Sequence, residues 1–433
     1  MNTIKKYFKK ILPKDTVLFL HKMKAVTAAY YYGLPAKKLK VIGVTGTNGK
    51  TTTCNLIANI FEEAGYKVGL ATTINFKIGT KSWVNESKMT TLGPFVLQRI
   101  LSQMVEAGCH VAIIETTSHA IKQYRNWGIP YEVAVLTNIT HEHLDYHKDL
   151  AEYRDTKLKL FSRVKTAVLN EDDKSYQYFH NAISARQISY GLENRPNIMA
   201  KKILYEPEST LFTAISPEGQ IAINLNLPGR FNVYNALAAI ATGLSQNIKL
   251  ETIKKALEKV KNIPGRMEKI EAGQNFSIII DYAHTPDALE KIYETLRPAV
   301  KGKIIHVFGA CGDRDKTKRP IMGAQAGRYA DYVILTDEDP YSENPETIIK
   351  EIAKGVPRGV IKGKNKKLNK NFFIILDRRE AIKKALALAT KNDLVLITGK
   401  GAETAMMVGD LTTSSGLRKI PWSDKKIVKE LLD

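Results

Sequence analysis

The sequence predicts an α/β protein with two domains. The first is a central domain with a phosphate-binding loop (P-loop) and a parallel sheet, and the second is a C-terminal, doubly wound, Rossmann-like α/β domain. From Val41 onward, short apolar segments rich in β-branched residues alternate with helix-like segments. A glycine-rich turn separates the first strand from the first helix, and a second strand–helix series follows the turn at Pro264 and Gly265. We therefore expect a short basic segment at 1–40, a central domain at 41–262 and a C-terminal domain at 263–433.

Composition limits the classes of protein that are possible. A chain of 433 residues has room for about two or three domains, and 44% hydrophobic residues can build sizeable cores. The formal net charge of +21 permits binding to nucleic acid, to an anionic membrane surface or to phosphorylated small molecules. Cys54, Cys109 and Cys311 are far apart, so neither a zinc ribbon nor a disulfide framework is indicated. This cysteine usage fits a reducing cytosol, and we expect a cytoplasmic protein.

The first forty residues carry ten lysines and a single acid, Asp15. Within them, 17–32 is an apolar stretch interrupted by His21 and two lysines. It is too short and too charged to span a bilayer, and no signal-peptide cleavage site follows it. We predict one amphipathic helix that is ended by Gly33 and Pro35. Its apolar stripe either packs on the next domain or rests on a membrane, so 1–40 is a candidate for peripheral membrane contact.

The first strand–turn–helix unit reads VIGVTGTNGKTTT from Val41 to Thr53. Its loop residues are Gly46, Thr47, Asn48, Gly49, Lys50, Thr51 and Thr52. Glycines let backbone N–H groups converge on a phosphate, and the following helix, predicted to begin at Asn55, adds partial positive charge. Lys50 is placed to reach the β- and γ-phosphates of ATP, and the Thr51 hydroxyl to ligate Mg²⁺. The common G-x-x-x-x-G-K-[ST] pattern would have glycine at Val44, so this loop is a compact variant. A chance glycine turn is the alternative, and the register of strand, Lys-Thr pair and helix disfavours it.

Two later strands end in polar residues. The strand from His110 to Glu115 ends in an acid, and the strand from Val133 to Leu136 is followed by Asn138. In open α/β sheets ligands bind at the carboxyl ends of strands, so Glu115 and Asn138 should lie near the phosphate loop. Glu115 is a candidate ligand of Mg²⁺, direct or through another group, and a capping role is the alternative.

Residues 138–147 read NITHEHLDYH and hold three histidines. Such a cluster suggests zinc, but neither an H-E-x-x-H helix nor a cysteine partner accompanies it. We prefer one histidine on a magnesium ion beside ATP. His141, His143 and Asp145 are expected at the same sheet edge as the phosphate loop.

The remaining segments complete the two predicted sheets. In the central domain we expect a strand at 66–70, a helix at 95–107, a peripheral antiparallel sheet at 188–227 and an alanine-rich helix at 236–243. In the C-terminal domain we expect strands at 276–281, 303–308, 332–336, 372–376 and 394–398. The glycine-rich turn at 309–315 follows the second of these strands, where an anion-binding turn would lie.

Nine pieces of sequence carry a family resemblance. They are GTNGKTT, ETTSHAIKQYR, TNITHEHLDYH, AEYRDTKLKLF, GRFNVYNALAA, PGRMEKI, DYAHTPDALEK, GDRDKTKRPIMG and ITGKGAE. Together they resemble the Mur ligase family, closest to its MurE-type branch, and they run in family order across nearly everything after Lys40. The resemblance implies a ligase of peptidoglycan synthesis that activates a D-glutamyl carboxylate as an acyl phosphate and joins it to a diamino acid. It implies ATP and Mg²⁺ as cofactors, with a UDP-linked muramoyl peptide and a free diamino acid, meso-diaminopimelate or L-lysine, as partners.

The resemblance also implies catalytic roles. Lys50, Glu115, His143 and Lys157 match catalytic positions, and Thr51, Glu115 and His143 would hold the magnesium ions that bridge ATP and substrate. Lys157, in the TKLKLF piece, corresponds to a lysine that such enzymes carry as a carbamate. Carbamylation turns a cation into an anion that can ligate a second Mg²⁺. Without the resemblance, a surface lysine on a helix would be the default interpretation.

Substrate and nucleotide contacts follow from the resemblance in the same way. Positions that bind the muramoyl-dipeptide part of the substrate are matched by Thr90, Thr91, Thr117, Gln123 and Arg125. Thr117 stands where the family usually has serine, and it keeps the hydroxyl. Asn235 would contact the adenine or cap its helix. The C-terminal residues that close over ATP are matched by Arg266, Asp281 and His284.

The amino-acid site implied by the resemblance departs from the family pattern. Arg319, Gly399 and Glu403 match contacts to the incoming amino acid. Where diaminopimelate-adding enzymes read Asp-Asn-Pro-Arg, however, this chain reads Glu338, Asp339, Pro340 and Tyr341. Losing the arginine that would grip a second carboxylate costs on the order of 1.5–3 kcal/mol of selectivity. The two acids instead suit a side-chain ammonium, which leaves lysine, ornithine and differently held diaminopimelate as alternatives.

The N-terminus departs from the family as well. Typical members carry a full N-terminal domain that binds the UDP group, and forty residues cannot build one of that size. Either the basic N-terminal helix binds the diphosphate, or the substrate is a lipid-linked or otherwise shortened muramoyl peptide.

Three other functions are alternatives to this interpretation. A folylpolyglutamate synthase also extends a glutamyl carboxylate, but the HEHLDYH and YAHTPDAL pieces favour the muramoyl branch. A nucleic-acid-stimulated P-loop ATPase would fit the charge, yet no aromatic-basic stacking motif is present, so we expect no stable nucleic-acid binding. An amidotransferase-coupled Mur-like subunit usually has a four-cysteine zinc ribbon, which three dispersed cysteines do not supply. We expect a monomer.

Overall fold

The computed structural model describes residues 13–140, 146–206, 208–357, 366–410, 412–413 and 416–433. These residues divide into two compact units, one ending at Lys261 and the other beginning at Asn262. Each unit has its own parallel-rich sheet with helices packed on it, so the predicted α/β class is confirmed. No helix of the described ranges is both long enough and apolar enough to cross a membrane.

The first unit contains an eleven-stranded sheet. Its strands are β1 (Lys40–Thr45), β2 (Val68–Ala71), β3 (Asn75–Ile78), β4 (Lys81–Val84), β5 (Val111–Glu115), β6 (Tyr131–Leu136), β7 (Thr166–Asn170), β8 (Arg186–Gly191), β9 (Ile198–Tyr205), β10 (Thr210–Ser216) and β11 (Gly219–Leu225). They lie in the order β11-β10-β9-β8-β7-β6-β1-β5-β2-β3-β4. The strands from β8 to β2 in that order are parallel, with β1 between β5 and β6. Strands in the middle of a parallel sheet are buried on both faces, which explains why β1 and β5 are nearly all apolar.

The antiparallel sheet predicted at 188–227 is not a separate layer. β8 pairs in parallel with β7, and β9, β10 and β11 extend the same sheet at one edge. The prediction is right that antiparallel strands form in this region and lie at an edge, and wrong that they form a sheet of their own. Alternating apolar residues indicate which segments form strands. Tertiary contacts decide which strands pair with one another, and the alternation does not reveal this pairing.

The helices of the first unit pack on this sheet. They are α1 (Lys14–Tyr31), α2 (Lys50–Glu63), α3 (Pro94–Glu106), α4 (Ser118–Lys122), α5 (Leu150–Leu158), α6 (Tyr176–Ala182), α7 (Arg230–Ser245) and α8 (Leu250–Lys259), with 3₁₀ turns at Pro35–Lys38 and Lys159–Phe161. α2 begins at Lys50, earlier than the predicted start at Asn55, because Gly49 caps it with φ 83° directly after the loop.

The predicted N-terminal helix is present as α1, which packs against α3. Its buried residues are small: Ala25, Ala28 and Ala29 are at most 1% exposed. Its large apolar residues are on the surface, with Phe19 60% and Tyr31 74% exposed. The helix was correctly predicted, but the side chains that face the domain are alanines, which let the two helices approach closely, and not the large apolar residues.

The second unit contains a six-stranded sheet in the order β12-β13-β17-β14-β15-β16. Its strands are β12 (Glu268–Lys269), β13 (Ser277–Asp281), β14 (Ile304–Phe308), β15 (Tyr332–Leu335), β16 (Phe372–Ile374) and β17 (Leu394–Thr398), and β18 (Ala405–Gly409) pairs separately with β19 (Leu417–Pro421). Its helices are α9 (Pro286–Ala299), α10 (Lys318–Tyr329), α11 (Pro345–Gly355), α12 (Arg378–Leu388) and α13 (Asp424–Leu432). All strands of the six-stranded sheet are parallel except β12, and β17 returns between β13 and β14. This is the predicted doubly wound arrangement.

Candidate active site

The phosphate loop connects β1 to α2 at the carboxyl edge of the first sheet. Gly46 has φ 147° and Gly49 has φ 83°, conformations that residues with a side chain rarely adopt. Space excludes a side chain as well, because a Cβ on Gly46 would lie 1.9 Å from Thr137 Oγ1. A Cβ on Gly49 would lie 2.3 Å from Asn235 Oδ1. Both positions therefore require glycine.

Hydrogen bonds from the end of β6 hold the loop in place. Asn48 N donates to Asn138 Oδ1, and Asn138 Nδ2 donates to Asn48 O, each over 3.0 Å. Thr137 Oγ1 donates to the same Asn48 carbonyl over 2.7 Å. The predicted placement of Asn138 beside the phosphate loop is confirmed.

Lys50 lies against the backbone of the loop. Its Nζ donates to Gly46 O over 3.1 Å and to Thr47 O over 2.5 Å. A cation held there, at the N-terminus of α2, is within reach of a phosphate bound by the loop. The arrangement supports the predicted contact between Lys50 and the nucleotide phosphates, which stays a prediction.

A carboxylate and two threonines converge beside the loop. Thr51 Oγ1 donates to Glu115 Oε2 over 2.9 Å. Thr73 donates to the same carboxylate from its N over 2.8 Å and from its Oγ1 over 2.9 Å. Glu115 is buried, with 2% exposure. Carboxylate and hydroxyl oxygens are donors that Mg²⁺ prefers, so Thr51 and Glu115 fit a magnesium site.

The predicted magnesium site also includes histidines of the segment 138–147. His143 lies outside the described residues, as do His141 and Asp145, so their placement stays a prediction. In the part of the chain that the structure describes, no group of three or more histidine, cysteine, aspartate and glutamate side chains is arranged to hold a metal ion. Of the residues predicted to bind magnesium, the structure therefore describes Thr51, Glu115 and Lys157.

Lys157 is buried on α5, with 1% exposure. Its Nζ donates to Gly46 O over 2.8 Å and lies 4.4 Å from the centroid of the Tyr153 ring. Tyr153 OH shares a 3.1 Å hydrogen bond with Thr47 Oγ1. The default interpretation of Lys157 as a surface lysine is thus wrong. Its placement at the phosphate loop supports the predicted catalytic role, while its carbamylation stays a prediction.

The threonines predicted to bind the muramoyl dipeptide are connected to Glu115. Thr91 Oγ1 donates to Glu115 O over 2.9 Å and accepts from Thr117 N over 3.0 Å. The hydroxyl oxygens of Thr91 and Thr117 lie 3.3 Å apart. Thr90 Oγ1 and Thr73 Oγ1 share a hydrogen bond over 3.0 Å. The hydroxyl of Thr117 therefore stays in this cluster even though the family usually has serine there.

Arg125 and Gln123 continue the same cluster. Arg125 donates to Gln123 Oε1 from Nε over 2.9 Å and from Nη2 over 2.6 Å. Arg125 Nη1 donates to Thr91 O over 2.8 Å, and Gln123 Nε2 donates to Tyr146 OH over 3.0 Å. Burial lowers the pKa of the Arg125 guanidinium, which still stays charged at neutral pH. A guanidinium positioned by neutral acceptors keeps its charge available for a ligand carboxylate.

The site also contains Thr73, Tyr146 and Tyr153, which sequence reasoning missed. Thr73 closely follows the end of β2, so the strand-end rule that singled out Glu115 would have found it. The two tyrosines carry no comparable signal in the sequence, because only tertiary packing brings them to Gln123 and to the loop.

Asn235, predicted to contact the adenine, lies on α7 and reaches back to α2. Its Oδ1 accepts from Thr53 Oγ1 over 3.4 Å, and its Nδ2 donates to Asn232 Oδ1 over 3.1 Å. The alternative that Asn235 caps its helix is wrong, because α7 begins at Arg230 after Gly229. The adenine contact stays a prediction.

In the second unit, the predicted ATP-contacting residues are neighbours. Asp281 ends β13 and accepts from two backbone N–H groups, each over 2.7 Å. Burial raises the pKa of the Asp281 carboxyl, and the nearby Arg266 opposes this rise. Arg266 lies 4.5 Å from the centroid of the Tyr282 ring, and His284 Nδ1 donates to the Tyr282 carbonyl over 2.9 Å. Their predicted role at ATP is not tested by these contacts.

Arg319, predicted to contact the incoming amino acid, is fully buried among acids. It donates to both carboxylate oxygens of Glu343, from Nη1 and Nη2, over 3.0 Å each. Nη1 also donates to Glu351 Oε2 over 2.6 Å, and Nη2 donates to Cys311 O over 3.1 Å. In this conformation the guanidinium stabilises the turn after β14, and its contact with an amino acid stays a prediction.

The residues predicted to select the amino acid form a buried acidic group. Glu338 and Asp339 are 1% and 2% exposed. Asp339 Oδ2 accepts from Lys400 Nζ over 2.9 Å, and Lys400 also donates to Glu403 Oε2 over 2.5 Å. One lysine therefore offsets part of the charge of two acids.

Glu338 is placed differently from Asp339. Its Oε1 accepts from Cys311 Sγ over 3.1 Å, and its Oε2 has no hydrogen-bond partner within the described ranges. A Cβ on Gly399 would lie 2.3 Å from that oxygen, so glycine is needed there. Tyr341, which follows Pro340, has φ 51°, and its ring centroid lies 5.6 Å from the guanidinium of Arg314.

A phosphate loop at the carboxyl edge of a parallel sheet, with a strand-end carboxylate next to it, defines a P-loop nucleotide-dependent α/β enzyme. Comparison with known proteins gives the family. The profile described as Mur ligase middle domain matches residues 44–243, and the one described as Mur ligase, glutamate ligase domain matches residues 265–401. The chain belongs to the Mur ligase family. It is accordingly an ATP-dependent amide ligase.

Individual relatives agree with this assignment. The chain is 42% identical over 408 residues to UDP-N-acetylmuramoyl-L-alanyl-D-glutamate–2,6-diaminopimelate ligase of Bacillus cereus, covering 92% of this chain and 80% of the relative. It is 40% identical over 417 residues to UDP-N-acetylmuramyl-tripeptide synthetase of Roseiflexus sp., with the same two coverages. A solved 2,6-diaminopimelate ligase structure aligns with a TM-score of 0.62 at 30% identity, covering 97% of this chain and 83% of the other. Folylpolyglutamate synthase of Mycobacterium tuberculosis, with a TM-score of 0.73 at 17% identity over 92% and 95% of the two chains, shares the fold.

Proposed function

We propose that this chain joins a free diamino acid, meso-diaminopimelate or L-lysine, to the D-glutamyl residue of UDP-N-acetylmuramoyl-L-alanyl-D-glutamate in peptidoglycan synthesis, at the expense of ATP. The relatives named for this ligation support the proposal. One structural observation carries it. Glu115 bonds to Thr51 next to the phosphate loop and, through its backbone carbonyl, to Thr91 of the predicted substrate cluster. A γ-phosphate and a substrate carboxylate would therefore be brought to the same strand end.

The proposed reaction has two steps. The side-chain carboxylate of the D-glutamyl residue attacks the γ-phosphorus of ATP, which releases ADP and forms an acyl phosphate. The amine of the incoming amino acid then attacks the acyl carbon, and inorganic phosphate leaves as the amide bond forms. Neither step needs a protein nucleophile, so the protein contributes position and charge.

Each residue has a role in this scheme. Lys50 would neutralise charge on the transferring phosphate, and Arg125 would orient a substrate carboxylate. Thr51 and Glu115 would hold Mg²⁺, together with His143 and with Lys157 in its carbamate form. When bound, Mg²⁺ supplies further charge neutralisation at the reacting oxygens.

The amino-acid site favours a substrate with a side-chain ammonium. Glu338 has a buried carboxylate oxygen that finds no hydrogen-bond partner in the described part of the chain, and an ammonium would satisfy this oxygen whereas a carboxylate would be repelled. Tyr341 offers a hydroxyl where an arginine would bind a second carboxylate. Lysine, ornithine and diaminopimelate all carry the required ammonium, and they differ in whether a second carboxylate must also be held.

The proposal includes the setting of the reaction. We propose a cytoplasmic monomer whose central domain, 41–262, binds ATP and the muramoyl peptide and whose C-terminal domain, 263–433, binds the amino acid.

An amino-acid panel tests this function. Purified protein is incubated with ATP, Mg²⁺ and UDP-N-acetylmuramoyl-L-alanyl-D-glutamate, and meso-diaminopimelate, L-lysine, L-ornithine and L-alanine are supplied one at a time. We expect phosphate release and a product of the corresponding mass with at least one diamino acid and none with alanine. Parallel reactions contain a reduced folate with glutamate, or single-stranded DNA. Phosphate release in either of these, and in none of the muramoyl reactions, would reject the proposal.

A further inference from the structure

α1 has two faces of opposite character. One face packs into the first unit through the buried residues Ala25, Ala28 and Ala29. The other face is exposed and carries Phe19, Leu20, Met23, Tyr30 and Tyr31, with exposures of 60%, 51%, 45%, 64% and 74%. We call these five residues the apolar stripe of α1. A soluble domain normally buries such side chains and leaves polar ones outside, so the stripe needs a partner.

The geometry of the stripe suits a flat apolar medium. At about 100° of rotation per residue, its five members lie within an arc of about 120° on one side of the helix. Lys24 lies about 20° beyond one edge of that arc, and Lys22 lies about 60° beyond the other. Both residues are exposed, and Lys22 Nζ is 5.7 Å from the centroid of the Tyr124 ring. Lysines at the border of an apolar face can extend their ammonium groups to lipid headgroups while their methylene chains cover apolar surface.

Two of the aromatic rings of the stripe contact other rings of the first unit. The ring centroids of Tyr30 and Trp127 are 6.0 Å apart, and those of Tyr31 and Phe95 are 6.3 Å apart. Tyrosines at the end of an apolar stripe provide amphipathic rings of the kind enriched where hydrocarbon meets headgroups.

Charge determines which partner fits. The first forty residues hold ten lysines and one acid, and the whole chain has a net charge of +21. Two copies of this face would bring like charges together, which opposes self-association. An anionic lipid surface offers the opposite charge and an apolar layer in one partner.

We propose that α1 binds the surface of a membrane containing anionic phospholipids, with the apolar stripe in the interface and Lys22 and Lys24 at the headgroups. The helix lies on the membrane and does not cross it, because its opposite face is packed on the protein. This proposal concerns where the enzyme works and is independent of the ligation reaction.

Vesicle cosedimentation of the full chain tests the proposal. We expect binding to vesicles of phosphatidylglycerol and phosphatidylcholine that is much stronger than binding to phosphatidylcholine alone. The triple variant Phe19→Ser, Leu20→Ser, Met23→Ser should lower the partition coefficient by at least about tenfold. The double variant Lys22→Gln, Lys24→Gln should lower it by about fivefold for each lysine.

A matched control changes three exposed apolar residues elsewhere, Leu204→Ser, Leu368→Ser and Ile374→Ser, whose exposures are 56%, 59% and 44%. It should bind vesicles like the parent, and all variants should keep the parental unfolding temperature and ligase activity on soluble substrate. Equal vesicle binding by the parent and the stripe variant would overturn the proposal. So would a dimer, seen by sedimentation velocity, that the stripe variant dissociates while the parent binds no vesicles.

Discussion

The Nζ atom of Lys157 donates a 2.8 Å hydrogen bond to the carbonyl oxygen of Gly46, across a separation of 111 residues in the chain. The bond places a buried amine at the first glycine of the phosphate loop. Lysine is seldom fully buried in proteins. The burial of Lys157 beside the phosphate loop therefore makes its Nζ atom a candidate for a role in catalysis.

Lys157→Ala should lower kcat by at least about 100-fold, because the charge that positions the reacting phosphate is removed. If the lysine acts as a carbamate, short carboxylates such as acetate or formate should restore part of the activity. Lys165→Ala, at a surface lysine with a 77% exposed side chain, is the control and should behave like the parent. Full activity of Lys157→Ala without added carboxylate would contradict the catalytic role.

Arg125→Lys should raise KM for the muramoyl peptide by about tenfold or more and leave KM for ATP nearly unchanged. Lysine keeps the charge but lacks the planar fork that binds a carboxylate through two hydrogen bonds. Steady-state kinetics measure both constants. The exposed Arg99→Lys serves as the control, and an unchanged KM for the peptide in Arg125→Lys would exclude Arg125 from the substrate site.

Tyr341→Arg should shift selection toward diaminopimelate. Restoring a charge-assisted contact to a second carboxylate should raise the ratio of kcat/KM for diaminopimelate to that for lysine by between about 10- and 100-fold. Tyr341→Phe, which removes only the hydroxyl, should change that ratio little. If the ratio stays the same in Tyr341→Arg, the residue at position 341 does not contribute to selection of the amino acid.

Asp424→Asn should strongly destabilise the second unit. Arg378 donates to both oxygens of Asp424, over 2.9 and 2.7 Å, and both side chains are fully buried. Breaking a buried pair from one side leaves an uncompensated charge, at a cost of about 3–5 kcal/mol of unfolding free energy. Urea denaturation measures the loss. Glu430→Gln breaks the exposed pair with Arg379 and should change the unfolding free energy little, so equal effects of the two variants would contradict this prediction.

His306 should make the stability of the second unit depend on pH. Burial lowers the pKa of His306 to about 3, from an unfolded value of 6.5. The unfolded chain therefore binds a proton between these values that the folded chain does not, so stability is complete above pH 6.5 and falls as pH decreases toward 3. One proton corresponds to a slope of about 1.4 kcal/mol per pH unit.

The variant His306→Gln isolates this effect. Glutamine can still bond to Tyr293 OH and Thr398 Oγ1, the partners of His306 at 2.6 and 2.9 Å, but it does not titrate. Unfolding free energies measured between pH 5 and 6.5 should depend less steeply on pH in the variant. Parallel curves for the parent and the variant would show that His306 does not couple folding to protonation.

Much of the fold could be predicted from the sequence, because local patterns determine it. The phosphate loop, β1 and β5 follow from glycine spacing and apolar runs, and the order of strands and helices in the second unit follows from the same signals. The predicted start of α2 is five residues too late. Gly49 caps the helix through a positive φ value, and the amino-acid sequence does not specify that backbone conformation. The continuity of β9 to β11 with the central sheet depends on strand pairing, which is a tertiary property.

The site was predictable where side chains end strands or belong to the resemblance, as with Glu115 and Lys157. The sequence gives no indication that Arg319 is held by Glu343 and Glu351, because those acids become its neighbours only when α10 and α11 pack together. Nor does it indicate that one oxygen of Glu338 has no hydrogen-bond partner among the residues that the structure describes. Such details depend on which polar groups find each other in the folded chain.

β4, at one end of the eleven-stranded sheet, has consequences for solubility. It has one neighbouring strand among the described residues, and its exposed residues include Trp83 and Val84. An exposed edge strand of this kind can pair with a strand of another molecule and start aggregation. β4 is only four residues long, which limits the number of backbone hydrogen bonds that a second chain could form with it, and the charge of Lys81 further disfavours such pairing.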